Sequence, residues 1–283
     1  MVTDFGGCDP NDNDRGGLQN QSRFRAIDQH GAALYGALSG ASFGDERTAH
    51  AQLDWLAMSL GVRHVDIDTD PLGDSMYCGT AAAWDAVRSR HVSTFSEEVL
   101  RFLFLWGSLE AAARLAGMRR QDRTRPWVAA RLDATRHRVL RDDLALVARD
   151  LRAALCGARA HGVERRLLGD GLTLGPRDAV VLAGAVRNSL AHGWSDFPAG
   201  SPPDLPEIEW ATTDLDAEIL VLSRSRRAIQ LVIQALLVDC ALVADPEPGF
   251  LDVRTDEDRS IQDALVDLHL AEWVLDNRTL PFS

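Results

Sequence analysis

Residues 101–115 read RFLFLWGSLEAAARL. Wound as a helix, this stretch is apolar around most of its circumference, which predicts a helix at the centre of a packed core. Thr94 with Glu97 makes a capping box ahead of Val99–Ala116, and Gly117 suits the C-terminal stop. Helical signals continue on both sides. Asp45 predicts the N-cap of a helix running to Leu60 with Gly61 as its stop, and Cys78–Arg90 reads as helix. Downstream, Pro126 suits the first turn of a long helix reaching about Ala160. Pro176 starts Arg177–Ala191, with Gly193 as its stop. Thr213 with Asp216 opens Leu215–Val243, and a last helix covers about Ser260–Asn277. Only Val62–Asp68 (VRHVDID) alternates as a short strand would. This pattern predicts an all-α fold, an antiparallel helical bundle.

The organisation follows from the same pass. Residues 1–22 are rich in Gly, Asp and Asn and read as a disordered tail. Residues 23–92 read as a mostly helical N-terminal extension, and residues 93–283 as the bundle with its C-terminal helix. Residues 194–209 hold four prolines and read as a long loop.

The 283-residue chain carries 30 basic residues, all arginine, against 42 acids, for a net charge of −12. A chain without lysine has no Walker-type phosphate loop, no lysine Schiff base and no lysine general base. The acidic balance argues against a broad nucleic-acid-coating surface but leaves room for a local arginine-lined groove. Cys8, Cys78, Cys156 and Cys240 stand far apart, without a zinc-ligand pair or a CxxC. They read as free thiols in a reducing cytosol. No signal peptide is expected at the start of the chain. The longest apolar stretches, Val99–Leu115 and Ile219–Ala244, carry charges inside them, so no membrane span and a cytoplasmic location are expected.

Residues 187–193, Arg-Asn-Ser-Leu-Ala-His-Gly, close the helix DAVVLAGAVRNSLAHG. The bare Arg-x4-His spacing recurs at Arg25 and His30 and means little alone; the fuller string RN-x-x-A-H-G is more specific. It follows an upstream helix with F-L-x-L-W-x-x-L-E at Phe102–Glu110. Together these resemble the HEPN superfamily, in particular its Apea-like and defence-associated branches, over roughly residues 93–245. The family's hallmark maps onto Arg187, Asn188 and His192.

That resemblance implies an HEPN-like bundle that forms a homodimer, with the motifs of both copies meeting at a cleft. It implies a metal-independent endoribonuclease acting as a toxin or anti-phage effector, with RNA such as tRNA as substrate, no cofactor and no metal. An inhibitory antitoxin or a defence-complex protein would be a further partner. The alternative is a catalytically silent module that scaffolds such a complex or binds RNA or nucleotide.

The chemistry is compatible. Attack of a 2′-hydroxyl on the adjacent phosphate needs a proton-transfer group near neutral pH, which suits His192. It needs a fixed cation on the phosphate, which suits Arg187. Asn188 would hold a phosphate oxygen or orient the imidazole. Arg187 and His192 lie about 140° apart around a helix, so convergence needs a helix end or a second copy. Arg and His at a helix C-terminus also simply complement its dipole.

Glu110, the one acid within Phe102–Ala113, would pair with a motif arginine, reach the bundle surface or pair with Arg114. Arg119 and Arg120, with Arg123 and Arg125, form a local basic cluster. They read as a phosphate track or a solvated loop. Arg224, Arg226 and Arg227 form a second cluster with the same two readings. Trp194 reads as a core anchor or as a stacking surface for a base. The remaining histidines look isolated, and Asp66, Asp68 and Asp70 fail the calcium-loop pattern because Pro71 stands at the glycine position.

Overall fold

The computed structural model describes residues 23–41, 43, 45–70, 79–158, 173–191, 215–238, 250–252, 257–259 and 261–271. The tail at 1–22 and the loop at 194–209 lie outside the described residues. Helix α1 spans Ile27–Ser39 and α2 spans Glu46–Gly61. Asp45 caps α2 as its sequence suggests: its carboxylate accepts from the Thr48 N–H at 3.1 Å and from the Thr48 hydroxyl at 2.6 Å.

Residues 62–68 do not form a strand. The segment runs extended along the following helix, which supplies its partners. Ser93 Oγ accepts from the Ile67 N–H at 2.9 Å, Ser89 Oγ accepts from the Thr69 N–H at 3.0 Å, and Arg101 donates to the Val62 carbonyl. With its backbone groups answered by side chains, it needs no sheet.

Helix α3, Gly79–Leu115, is continuous over 37 residues, where the sequence suggested two helices. The Thr94 hydroxyl donates to the Arg90 carbonyl four residues back instead of capping a new start. The C-terminal stop is where expected. Gly117 has φ +95°, the Met118 N–H donates to the Ala113 carbonyl, and the Gly117 N–H donates to the Arg114 carbonyl. These two bonds make a Schellman motif, and the positive φ explains why glycine stands there.

The long helix read from Pro126 to Ala160 is two helices, α4 at Thr124–Asp133 and α5 at Arg138–Gly157. The break at residues 134–137 frees α5 to aim its own stripe (Leu140, Leu144, Val147, Leu151, Leu155) at the core. Helix α6 is Asp178–Ala191 and α7 is Leu215–Val238. Strands β1 (Phe250–Asp252) and β2 (Glu257–Arg259) pair antiparallel, and α8 (Ile261–Asp267) follows. Among the described residues, helices carry the fold, which is all-α.

The centre of the core is α7. From Ser225 to Val238 every residue is buried, and the helix touches α1, α3, α4, α5, α6 and α8. Helix α3 lies one layer out. Phe102, Leu105, Leu109 and Ala112 face α7's side of the core, while Leu103 is exposed. Another face of α3 packs against α2, where Gln52 donates to Ser108 and Ser59 donates to the Arg101 carbonyl.

Arg226 and Arg227 on α7 are buried, contrary to a solvated cluster. Arg226 donates to Asp28 on α1 at 2.6 Å and to Glu98 on α3 at 3.0 Å. Arg227 donates to the Arg25 carbonyl at 3.0 Å and lies over the Phe24 ring. Arginine's planar fork suits such multi-partner burial. Burial holds the Arg227 guanidinium down to a pKa of about 10, with Arg224 adding to the effect. Cys156 is also corrected: it is disulfide-bonded, with its partner outside the described residues. The step from free thiols to a reducing compartment therefore loses its premise.

Candidate functional site

Helix α6 begins with its own cap. Asp178 reaches back to accept from the Gly175 N–H at 2.7 Å. From Ala179 to Val186 the helix is buried almost throughout. The burial ends at the motif. Arg187 is half-buried, Asn188 is exposed, and Ser189 turns into the core with its hydroxyl unpaired among the described residues. The Arg187 Nη1–H faces Asn188 Oδ1 at 3.5 Å, a loose contact. Arg187 has no carboxylate partner among the described residues. His192, Gly193 and Trp194 lie outside them.

Glu110 on α3 bonds neither Arg187 nor Arg114; its Oε1 accepts from the Trp106 indole N–H at 3.0 Å, one turn earlier on the same helix. Trp106 in turn packs against α6. A Cβ placed on Gly184 would lie 3.3 Å from Trp106 Cη2 and 2.7 Å from Arg125 Cδ. The absent side chain at Gly184 thus lets α3 and α4 close on α6 one turn before Arg187. Arg119 and Arg120 are exposed in the turn after α3, where the Arg119 N–H donates to Asp122 Oδ2 at 2.9 Å. Asp66 and Asp68 are exposed, and the Asp68 carboxylate accepts from the Asp70 N–H, an Asx turn. No group of His, Cys, Asp and Glu among the described residues is arranged to hold a metal ion.

The structure also assembles a buried polar chain from histidines that stand isolated in the sequence. Gln234 on α7 is its hub. Its Nε2 donates to the Leu265 carbonyl and to His269 Nδ1, so its Oε1 faces His30 Nε2 at 2.8 Å. That orientation fixes both tautomers: His30 carries its proton on Nε2, and so does His269. His269 Nε2–H then donates to Asp143 Oδ2 at 2.8 Å, and Arg23 closes the chain on the same carboxylate.

Burial is the largest cause lowering the His30 pKa, to about 3, and His269 beside it adds to that. At Asp143 burial raises the carboxyl, but hydrogen bonds from His269 and Arg23 outweigh it and leave the pKa below the ordinary range. The signal for this burial was periodic. His30 shares a helical face with Ala33, Leu34, Ala37 and Leu38, and Asp143 sits in the stripe of Leu140, Leu144 and Val147.

No family model matches this chain, and the searches of curated proteins and of solved structures return no match. The described residues define an all-α protein with a half-buried arginine at the end of a core helix. None of its described helices is long and apolar enough to cross a membrane.

Proposed function

We propose that this chain is a metal-independent endoribonuclease of the HEPN type, working as a toxin or anti-phage effector. The observation that carries the reading is Arg187. It stands in the last described turn of a helix that is otherwise core, half exposed, beside an exposed Asn188 and without a carboxylate partner among the described residues. In a chain of net charge −12, a guanidinium so placed is available to an anion. Arg187 stabilises the charge that grows on the phosphate as a 2′-hydroxyl attacks. Asn188 holds a phosphate oxygen, and His192 transfers the proton. Glu110 acts at one remove, by fixing Trp106 against α6. The site is completed in a homodimer.

The test is cleavage of total RNA and a tRNA pool by the purified protein in EDTA, comparing wild type with His192→Ala and Arg187→Ala. Both variants are first checked for fold and oligomeric state. Cleavage that disappears in both variants is the expected result. Cleavage that survives both substitutions places the chemistry elsewhere.

A further inference from the structure

Arg125, in the first turn of α4, is exposed and lays its aliphatic stem across Gly184 on α6. An ideal Cβ there would sit 2.7 Å from Arg125 Cδ and 3.4 Å from Cγ. Residues three and four positions on, Arg187 and Asn188, share that side of α6, about 5–6 Å away between Cβ atoms. Helical side chains lean toward the helix N-terminus, so Arg187 and Asn188 lean back toward the place where Arg125 crosses. The stem of Arg125, from α4, therefore crosses α6 within one turn of Arg187.

Neither arginine has a carboxylate partner among the described residues. Arg125 has no hydrogen-bond or ion-pair partner among the described residues, and Arg187 has only the Asn188 amide. Glu110, the acid nearest the Trp106 ring that backs Gly184, is engaged with the indole N–H. Asp178, at the other end of α6, is engaged with the Gly175 N–H and Arg177. Nor does Arg125 serve its own helix. The first turn of α4 holds no acid, and a cation at that end opposes the helix dipole. Elsewhere among the described residues, Arg226 reaches across helices to carboxylates at Asp28 and Glu98, and Arg177 to Asp133. At Gly184 no carboxylate among the described residues meets Arg125, and a phosphodiester has the charge and the paired oxygens for that place.

We infer that Arg125 and Arg187 form a two-arginine clamp for the RNA backbone, Arg125 seating a phosphate next to the one Arg187 holds. This rests on the ribonuclease reading for the identity of the ligand, but not for the geometry of the clamp.

The test uses the full chain and a fluorescein-labelled 2′-O-methyl RNA oligonucleotide, which binds but lacks the attacking hydroxyl. Affinity is read by anisotropy across a salt series. Arg125→Met keeps the stem over Gly184 and removes the charge, so the fold is preserved. Arg138→Met removes an arginine that is 92% exposed on another helix and serves as the control. Arg125→Met is expected to weaken binding about tenfold and to lower the salt slope by about 0.7, one phosphate contact on a single strand. Arg125→Lys should recover the slope but only part of the affinity.

Arg125→Met behaving like Arg138→Met, while Arg187→Met loses binding, overturns the clamp and leaves the ribonuclease reading standing. Loss in both variants, with unmodified RNA left uncut or cut equally by His192→Ala, keeps the clamp and removes the ribonuclease. A wild-type protein that does not bind the oligonucleotide overturns both.

Discussion

His269 Nε2–H donates to Asp143 Oδ2 at 2.8 Å, and both side chains are buried. The pair ties the residues just after α8 to α5. Arg23, on the same carboxylate, ties in the chain entering α1, and the Phe24–Leu270 bridge runs alongside. The two ends of the described chain are thus held on the bundle through one carboxylate. His269→Leu leaves Asp143 with Arg23 alone and removes one of the two acceptors of the Gln234 amide N–H group. The expected loss is about 3 kcal/mol in urea unfolding. The double variant with Asp143→Ala should lose less than the sum of the singles. A loss under about 1 kcal/mol for His269→Leu would show that the pair contributes no more than an exposed one.

His30 sets an acid limit on stability. Its folded pKa of about 3 lies below the ordinary 6.5, so between those values the unfolded chain binds a proton that the folded chain refuses. The stability it contributes is fully present above about pH 6.5 and is lost as pH falls toward 3. The size is a few kcal/mol. Arg25, Arg227 and His269 also bear on His30, and each disfavours its protonation. Denaturant midpoints measured from pH 7 to pH 4 should fall steadily for wild type. His30→Gln, which keeps an N–H for Gln234, should flatten that fall; an unchanged slope would assign it to other groups.

Cys156, in the last turn of α5, is disulfide-bonded. Reduction should lower stability by about 2–4 kcal/mol. Cys156→Ser should show the same loss and no further response to reductant. A peptide map under non-reducing conditions identifies the partner among Cys8, Cys78 and Cys240. A midpoint indifferent to reductant in wild type would mean that the bond adds nothing to the folded state.

What the sequence made legible was local. The Asp45 cap and the Gly117 stop each depend on a few neighbouring residues, and each is found where its chemistry puts it. Continuity was not legible. Thr94 and Glu97 spell a cap, but within the continuous helix Thr94 bonds the Arg90 carbonyl and Glu97 pairs with Arg101. The break after Asp133 is tertiary, since only the core decides where α5 must turn. Buried polar pairs were hidden for a further reason. His30 and His269 are 239 positions apart, and nothing in either neighbourhood names the other. At the candidate site the sequence singled out Arg187 and Asn188, but left Glu110 open among a motif arginine, Arg114 and the surface, without naming its Trp106 partner. It gave no sign that Gly184 was the contact point for Arg125, because a glycine in an apolar helix reads as ordinary packing.

Two glycines separate packing from function. A Cβ on Gly107 would lie 2.8 Å and 3.1 Å from the Trp55 ring, and a ring moves only as a whole. Gly107→Ala should therefore cost about 1–3 kcal/mol, with helix propensity returning up to about 1 kcal/mol of it. At Gly184 the nearest atom, Arg125 Cδ at 2.7 Å, belongs to a flexible and exposed side chain that swings aside, while Trp106 Cη2 at 3.3 Å gives by a few tenths of an ångström. Gly184→Ala should leave stability within about 1 kcal/mol of wild type, since the gain in helix propensity offsets the local crowding. Its effect should fall on RNA affinity, because the displaced stem carries the Arg125 guanidinium away from Arg187. Thermal unfolding and anisotropy on the same two variants give the comparison. The expected result is a stability loss confined to Gly107→Ala and an affinity loss confined to Gly184→Ala. Equal affinities for Gly184→Ala and wild type would mean that the position of Arg125 over α6 does not matter to the ligand.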